Sequence, residues 1–176
     1  MMGSMTDRTV TFDTALGRCA VSWSDLGITG VWLPRRAGYS APAMEDVGDV
    51  PAFVRDAVDG MRAVLAGERR DLHPVPLDER GLDPFRRSVY AATRDIEPGT
   101  TQTYGQVAKA IGRPDAARDV GTALSQNPFP IVVPCHRVIA ANGALTGFAA
   151  PGGIETKRRM LELEGAAGFG QQLLFG

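Results

Sequence analysis

The stretch TYGQVAKAIGRPDAARDVGTALS, Thr103 to Ser125, decides how the second half of this chain folds. Thr103 and Gln106 have the Thr-x-x-Gln spacing of a capping box, in which two side chains satisfy backbone N–H groups at a helix start. Tyr104, Val107, Ala108 and Ile111 then recur at i, i+3, i+4 and i+7, an apolar stripe on one helical face. Gly112-Arg113-Pro114 breaks the chain, and Asp115 can open a second helix. In that helix Ala116, Val120 and Leu124 point one way, while Arg118, Thr122 and Ser125 point the other. Two short helices joined by a tight Gly-containing turn form a helix-turn-helix pattern. Such pairs also occur in many α-rich domains, so the pattern alone leaves DNA binding open. On the outward face Ala117, Gly121 and Thr122 are small enough for the backbone to approach a groove. Arg118 is the single long cation there; it either reaches between base pairs or is simply solvated.

Upstream, Asp83-Pro84 starts a helix running to about Ile96, stopped by Pro98-Gly99. The stretch Asp71–Leu82, with Pro74 and Pro76, reads as a boundary. Before it the chain changes character. Arg8–Asp13, Gly17–Trp23 and Gly27–Leu33 are short β-rich segments separated by turn residues, with Cys19, Val21 and Trp23 sharing one face. After a loop holding Gly38, Pro42 and Gly48, Pro51 opens a helix on Phe53, Val54, Ala57, Met61, Val64 and Leu65, ending at Gly67. The expected class is therefore α+β. A small α/β unit over 6–80 precedes a mostly helical unit over 83–165. A Gly-rich tail, 166–176, is expected to be poorly ordered unless Leu173, Leu174 and Phe175 dock.

The whole chain fits this reading. Its 176 residues are 44% hydrophobic and 22% charged, a globular composition. No apolar run nears the ~18 residues of a membrane span, and no secretion signal opens the chain; Met1–Ser4 read as an expression leftover before a start at Met5. Two cysteines and two histidines are too few for a disulfide scaffold or a zinc cage, so a reducing, cytoplasmic setting and no metal are expected. Net charge is −1, yet residues 1–84 carry a balance of −4 and residues 85–165 a balance of +3, which points to different partners for the two units.

Downstream lies Ile131-Val132-Val133-Pro134-Cys135-His136-Arg137-Val138-Ile139. Cys135 is either a buried structural residue, since free Cys packs as a small hydrophobe, or a nucleophile. Pro134 ends any strand there and turns the chain, which can present Cys135 at a pocket. A thiolate becomes a strong nucleophile when a base adjoins it. His136 is that candidate, acting directly or through one water, and it needs an orienting acceptor: Glu155, Glu162 or Glu164. Asn127, before Pro128, either forms a turn or bridges two loops with its amide.

Taken in order, Tyr104-Gly105-Gln106-Val107-Ala108, Ala116-Ala117-Arg118-Asp119-Val120-Gly121, Asn127-Pro128, the Cys135 stretch, Gly143, Gly147-Phe148 and Glu162-Leu163-Glu164-Gly165 resemble the O6-alkylguanine-DNA alkyltransferases. The resemblance is strong over about 85–165 and loose before it. It implies an RNase H-like N-terminal unit and a winged-helix-like C-terminal unit. It also implies irreversible transfer of an alkyl group from guanine O6, or to a lesser extent thymine O4, to the cysteine sulfur, with no cofactor. By the same resemblance Cys135 attacks, His136 deprotonates it through a water, Glu164 orients His136, and Tyr104 protonates N3 of the leaving guanine. Asn127 pins the cysteine loop, backbone groups at Cys135 and Val138 read the base, and Phe148 walls the alkyl pocket. Arg118 fills the stack left by a flipped base, while Ala117, Gly121 and Thr122 lie in the minor groove. The loop Ala149–Gly153 departs from many relatives, and their N-terminal zinc ligands are missing, so Cys19 is read as core. The implied partner is double-stranded DNA carrying O6-alkylguanine, engaged by a monomer without a membrane. Two other classes remain: a lesion-binding module without transfer, which the presence of Cys135 opposes, and a Cys-His-Glu thiol hydrolase, which leaves the helix-turn-helix unexplained.

Overall fold

The computed structural model describes residues 8–34, 50–146 and 152–169. Strands β1 (Arg8–Thr14), β2 (Gly17–Ser24) and β3 (Gly27–Trp32) form an antiparallel meander in that order. Cys19, Val21 and Trp23 are buried on one face, as their alternation predicts. Ser22 and Ser24, at the alternate positions, are buried as well, and the register shifts between Ser22 and Trp23. Each finds a polar partner: Ser22 Oγ lies 2.6 Å from the Thr29 hydroxyl, and Ser24 Oγ donates to Asp78 Oδ2 at 2.7 Å. Helix α1 (Ala52–Leu65) starts from Pro51 and packs on β1, burying Val54, Ala57, Val58, Met61, Val64 and Leu65. The loop around Gly38, Pro42 and Gly48 lies outside the described residues.

The boundary stretch lies flat against both halves. Ile28 N donates to Pro76 O and Asp78 N donates to Ile28 O, each at 2.8 Å, so Leu77 runs parallel beside β3. This contact requires Gly27, where a Cβ would come within 2.7 Å of the Pro76 carbonyl oxygen and where φ is 153°. On the other side Arg94 Nη2 donates to the carbonyls of Leu72, His73 and Val75 at 2.8, 3.1 and 3.0 Å. The apolar core accordingly continues from the sheet through α1 into the helical half.

Helix α2 (Pro84–Arg94) is capped by Asp83, whose carboxylate accepts from Arg86 N. Strand β4 (Gln102–Thr103) leads into α3 (Tyr104–Ala110), and both bonds of the capping box form, Gln106 N to Thr103 Oγ1 and Thr103 N to Gln106 Oε1. Helix α4 (Ala117–Ser125) packs on α2 and α3, and Tyr90 Oη ties it down by donating to Ala123 O at 2.7 Å. Its buried residues include Val120 and Leu124, while Arg118, Thr122 and Ser125 are exposed. The helix starts later than expected. Asp115 stays in the turn, Ala116 N bonds Arg113 O, and Ala116 caps without a side-chain acceptor.

The apolar run before Cys135 is no strand. Pro128, Pro130 and Pro134 have no N–H to give a ladder, so residues 130–133 close a buried turn through Val133 N to Phe129 O at 2.8 Å. A single 310 turn, Cys135–Arg137, follows, then β5 (Val138–Ile139), parallel to β4. Helix α5 (Gly153–Leu163) closes the unit. The start of the tail is docked rather than loose: Ala166 is buried against Leu145 and Leu161, with Phe169 packed beside them. Leu173, Leu174 and Phe175 lie outside the described residues.

Candidate active site

Cys135 opens the 310 turn and is 9% exposed. Burial pushes its thiol pKa up, while a hydrogen bond from Asn127 and the charge of Lys157 pull it back down. The resting group is therefore a thiol in need of a base. Asn127 serves the loop twice, its Nδ2 donating to Val133 O and its Oδ1 accepting from Phe129 N, both at 2.9 Å. Asn127 forms the turn, and the bonds of its amide stay within that turn rather than joining two loops.

His136 is fully buried, and its Nε2 lies 2.7 Å from Glu164 Oε1. Of the three candidate acceptors only Glu164 comes to it. Glu155 pairs with Arg158, and Glu162 lies 3.7 Å from Arg159. Burial alone would raise the Glu164 pKa, yet His136 and Arg137 hold it down at about 2. Glu164 is thus a carboxylate, an acceptor only, so the proton of His136 sits on Nε2. Burial lowers the His136 pKa against the pull of Glu164, which leaves a neutral imidazole. Its Nδ1 is buried and has no hydrogen-bond partner among the described residues, a free lone pair on the residue that follows the cysteine.

Sequence reasoning missed two cations. Arg137 donates from Nε and Nη2 to Glu164 at 2.9 and 2.7 Å and from Nη1 to Ile96 O at 2.7 Å. Lys157 is buried on α5, with Nζ donating to Val138 O at 2.6 Å and Thr146 O at 3.1 Å. It also lies 3.5 Å from Tyr104 Oη, and burial brings its pKa down to about 8 although Cys135 opposes this. The signal was there: Lys157, Met160, Leu161 and Glu164 follow i, i+3, i+4, i+7, so both charges stand on the apolar stripe of α5.

Tyr104 begins α3, half-buried, and its hydroxyl donates to Thr146 O at 2.9 Å. Gly121 of α4 faces its ring, where a Cβ would lie 3.8 Å away. The small face of α4 thus supports the tyrosine as well as facing outward. Arg118 and Thr122 are exposed, and Ala117 and Gly121 are partly so. The Val138 carbonyl accepts from Lys157, and its N–H donates to Cys135 O. Phe148 and Ala149–Pro151 lie outside the described residues.

The Glu164 network carries an acid-sensitivity. A carboxylate whose pKa falls on folding stabilises the native state above its unfolded value, near 4.5, and that contribution fades as pH falls towards 2. Melting temperature followed from pH 7 to 2 is expected to fall steeply below about 4.5 in the native protein and far less in Glu164→Gln. Parallel curves for the two would remove Glu164 as the cause.

Comparison with known proteins adds to this geometry. A family described as "6-O-methylguanine DNA methyltransferase, DNA binding domain" matches residues 84–166. The chain is 46% identical over 114 residues to the methylated-DNA–protein-cysteine methyltransferase of Methanosarcina acetivorans, covering 65% of this chain and 70% of that one. It is 38% identical over 160 residues to the protein so named in Mycolicibacterium paratuberculosis, covering 88% and 90%. The crystal structure of Mycobacterium tuberculosis O6-methylguanine methyltransferase superposes with a TM-score of 0.71 at 37% identity, covering 90% and 93%. The M. tuberculosis protein in complex with DNA gives 0.70 at 37%, covering 89% and 92%.

Proposed function

Because the chain belongs to the methylated-DNA–protein-cysteine methyltransferase family, we propose that its Cys135 is the alkyl acceptor and that the residues gathered around it perform the transfer. The protein repairs DNA by moving an alkyl group from O6 of guanine, and less readily O4 of thymine, to its own cysteine, once per chain. One observation carries the assignment: the residue that follows the buried cysteine is a buried histidine whose Nε2 lies 2.7 Å from the buried Glu164 carboxylate.

Cys135 is shielded, so a base inside a duplex cannot reach it and must leave the stack. Arg118, on the outward face of α4, fills the gap, and Ala117, Gly121 and Thr122 let that helix lie close to the groove. His136 Nδ1 takes the thiol proton through a water. The sulfur attacks the alkyl carbon, the S–C bond forms as the C–O6 bond breaks, and the electron pair leaves on guanine. Tyr104 supplies a proton to N3 of that leaving group, which requires its hydroxyl to turn from Thr146 to the base. Lys157, 3.5 Å from that hydroxyl, supports it. Cys135 and Val138 read the guanine edge through their backbone, and Phe148 walls the pocket. The helix pair with its β4–β5 ribbon is winged-helix-like, and the meander with α1 is a reduced RNase H-like unit. These form domains over 83–165 and 6–80. The protein works as a cytoplasmic monomer without metal or cofactor. No helix of the described residues is long and apolar enough to cross a membrane.

Duplex DNA labelled on an O6-methyl group tests the function: label passes to the protein. Tight binding without transfer would make the chain a lesion-binding module, and neither result would leave a hydrolase. Arg118→Ala is expected to slow repair of duplex lesions far more than reaction with free O6-methylguanine base, which needs no flipping. Equal losses on both would place Arg118 in the pocket or in folding. Tyr104→Phe is expected to slow single-turnover transfer about tenfold or more, about 1.4 kcal/mol of barrier per tenfold; unchanged kinetics would assign the proton to water.

A further inference from the structure

A cavity of about 490 Å3 opens on the side of the Cys135 loop where the boundary strap meets α2. Its floor is the loop itself, with Ile131, Val132 and Pro134 just before the cysteine and Arg137 just after it. Leu72 of the strap, Ile96 and Pro98 extend this apolar surface.

The rim is charged, and the charges do not all cancel. His73 bridges Asp71 through Nδ1 at 2.7 Å and Asp95 through Nε2 at 2.9 Å. Both carboxylates accept only, so both ring nitrogens donate and the histidine is an imidazolium. That cluster cancels one of its two carboxylate charges and keeps the other, and Arg137 is engaged by Glu164. Three arginines remain. Arg94 spends Nη2 on neutral carbonyls, and its Nε is a buried donor without an acceptor. The side chains of Arg69 and Arg70, both exposed, make no hydrogen bond or ion pair with a described residue, although Arg70 N donates to Glu68 O. Against the three stand Glu97 and the one carboxylate charge that His73 leaves over, so the rim keeps a net positive charge. Cationic guanidinium groups over an apolar floor select an oxyanion joined to an apolar or flat body. The volume falls in the range of about 300–1,000 Å3 typical of small-molecule sites.

We propose that this cavity is a second binding site, separate from the alkyl pocket, for a small oxyanion with a flat apolar body, of nucleoside monophosphate size. The oxyanion lies between Arg69 and Arg70, over the charge of Arg94, and the body lies on Ile131, Val132 and Pro134. Occupancy is felt at the reaction centre because the floor is the cysteine loop. Ile131 sits there at φ 74°, a left-handed conformation that a β-branched residue holds only under constraint from its surroundings. An anion that reaches Arg137 also draws it from Glu164, which loosens His136 and slows transfer.

Titration calorimetry with the full chain tests this, with adenosine monophosphate as probe and adenosine and inorganic phosphate as its halves. The expected result is saturable binding of the monophosphate, with each half weaker by about tenfold or more. Binding should fall about tenfold in Arg69→Gln/Arg70→Gln, whose exposed side chains bear on no packing. An undamaged duplex should not displace the probe. No saturable binding, displacement by the duplex, or undiminished binding to the double variant would each overturn the site. Single-turnover methyl transfer should slow several-fold at saturating probe, and an unchanged rate would overturn the link to the loop. Only that last measurement rests on the alkyl-transfer reading, so failure of the function and failure of the site are distinguishable.

Discussion

A Cys135→Ser protein is expected to take up no methyl from O6-methylguanine duplex, while the native protein takes up one and then stops. The product of attack by sulfur is a thioether, so intact mass should rise by roughly 14 Da, with the added group on the peptide containing Cys135. The limit of one follows from chemistry. A methyl thioether is a very poor leaving group, so the transfer is expected not to be reversed. Serine keeps the shape of the site and a hydrogen-bonding group, but its hydroxyl lies far above any pKa that a neutral imidazole can address. The other cysteine offers no substitute. Burial lifts Cys19 to about 11, and it is buried on β2, opposite Phe12 of β1. Label on the serine variant, or more than one equivalent on the native chain, would refute the assignment.

The second large effect lies with the base. His136→Ala and Glu164→Gln should each slow transfer by about 10²–10⁴-fold, the usual range for general-base contributions, with little change in affinity for undamaged duplex. The two reach the same step by different routes. The alanine removes the lone pair. The glutamine keeps a hydrogen-bonding partner but removes the charge that fixes the proton on Nε2 and holds Arg137. The two variants should therefore combine with less than additive loss in the double mutant. Glu162→Gln is the control: it lies 3.7 Å from Arg159 on the rim of α5 and should react at the native rate. A slow Glu162→Gln with a normal Glu164→Gln would reverse the assignment.

What the sequence determined by itself was local. The capping box at Thr103 and Gln106, the stripes of α1 and α4 and the face shared by Cys19, Val21 and Trp23 are short-range regularities, because a helix or strand repeats within a few residues. The ordered motifs around Cys135 likewise carried the family. Tertiary structure decided the rest. The run Ile131–Val133 has the composition of a strand but no partner ladder, because prolines on either side withhold donors and Asn127 folds the segment into a turn. Glu155, Glu162 and Glu164 are equivalent candidates as letters. Only the direction of α5 and the position of Arg137 choose Glu164, because a buried carboxylate persists only where cations meet it. Lys157 stands on the apolar stripe of α5 in the sequence, but only the burial of that face brings its ammonium onto the carbonyls of Val138 and Thr146. The strap over 71–82 reads as a boundary, yet its hydrogen bonds go to β3 on one side and to Arg94 on the other. Those bonds join residues dozens of positions apart, and no local periodicity records such a pairing.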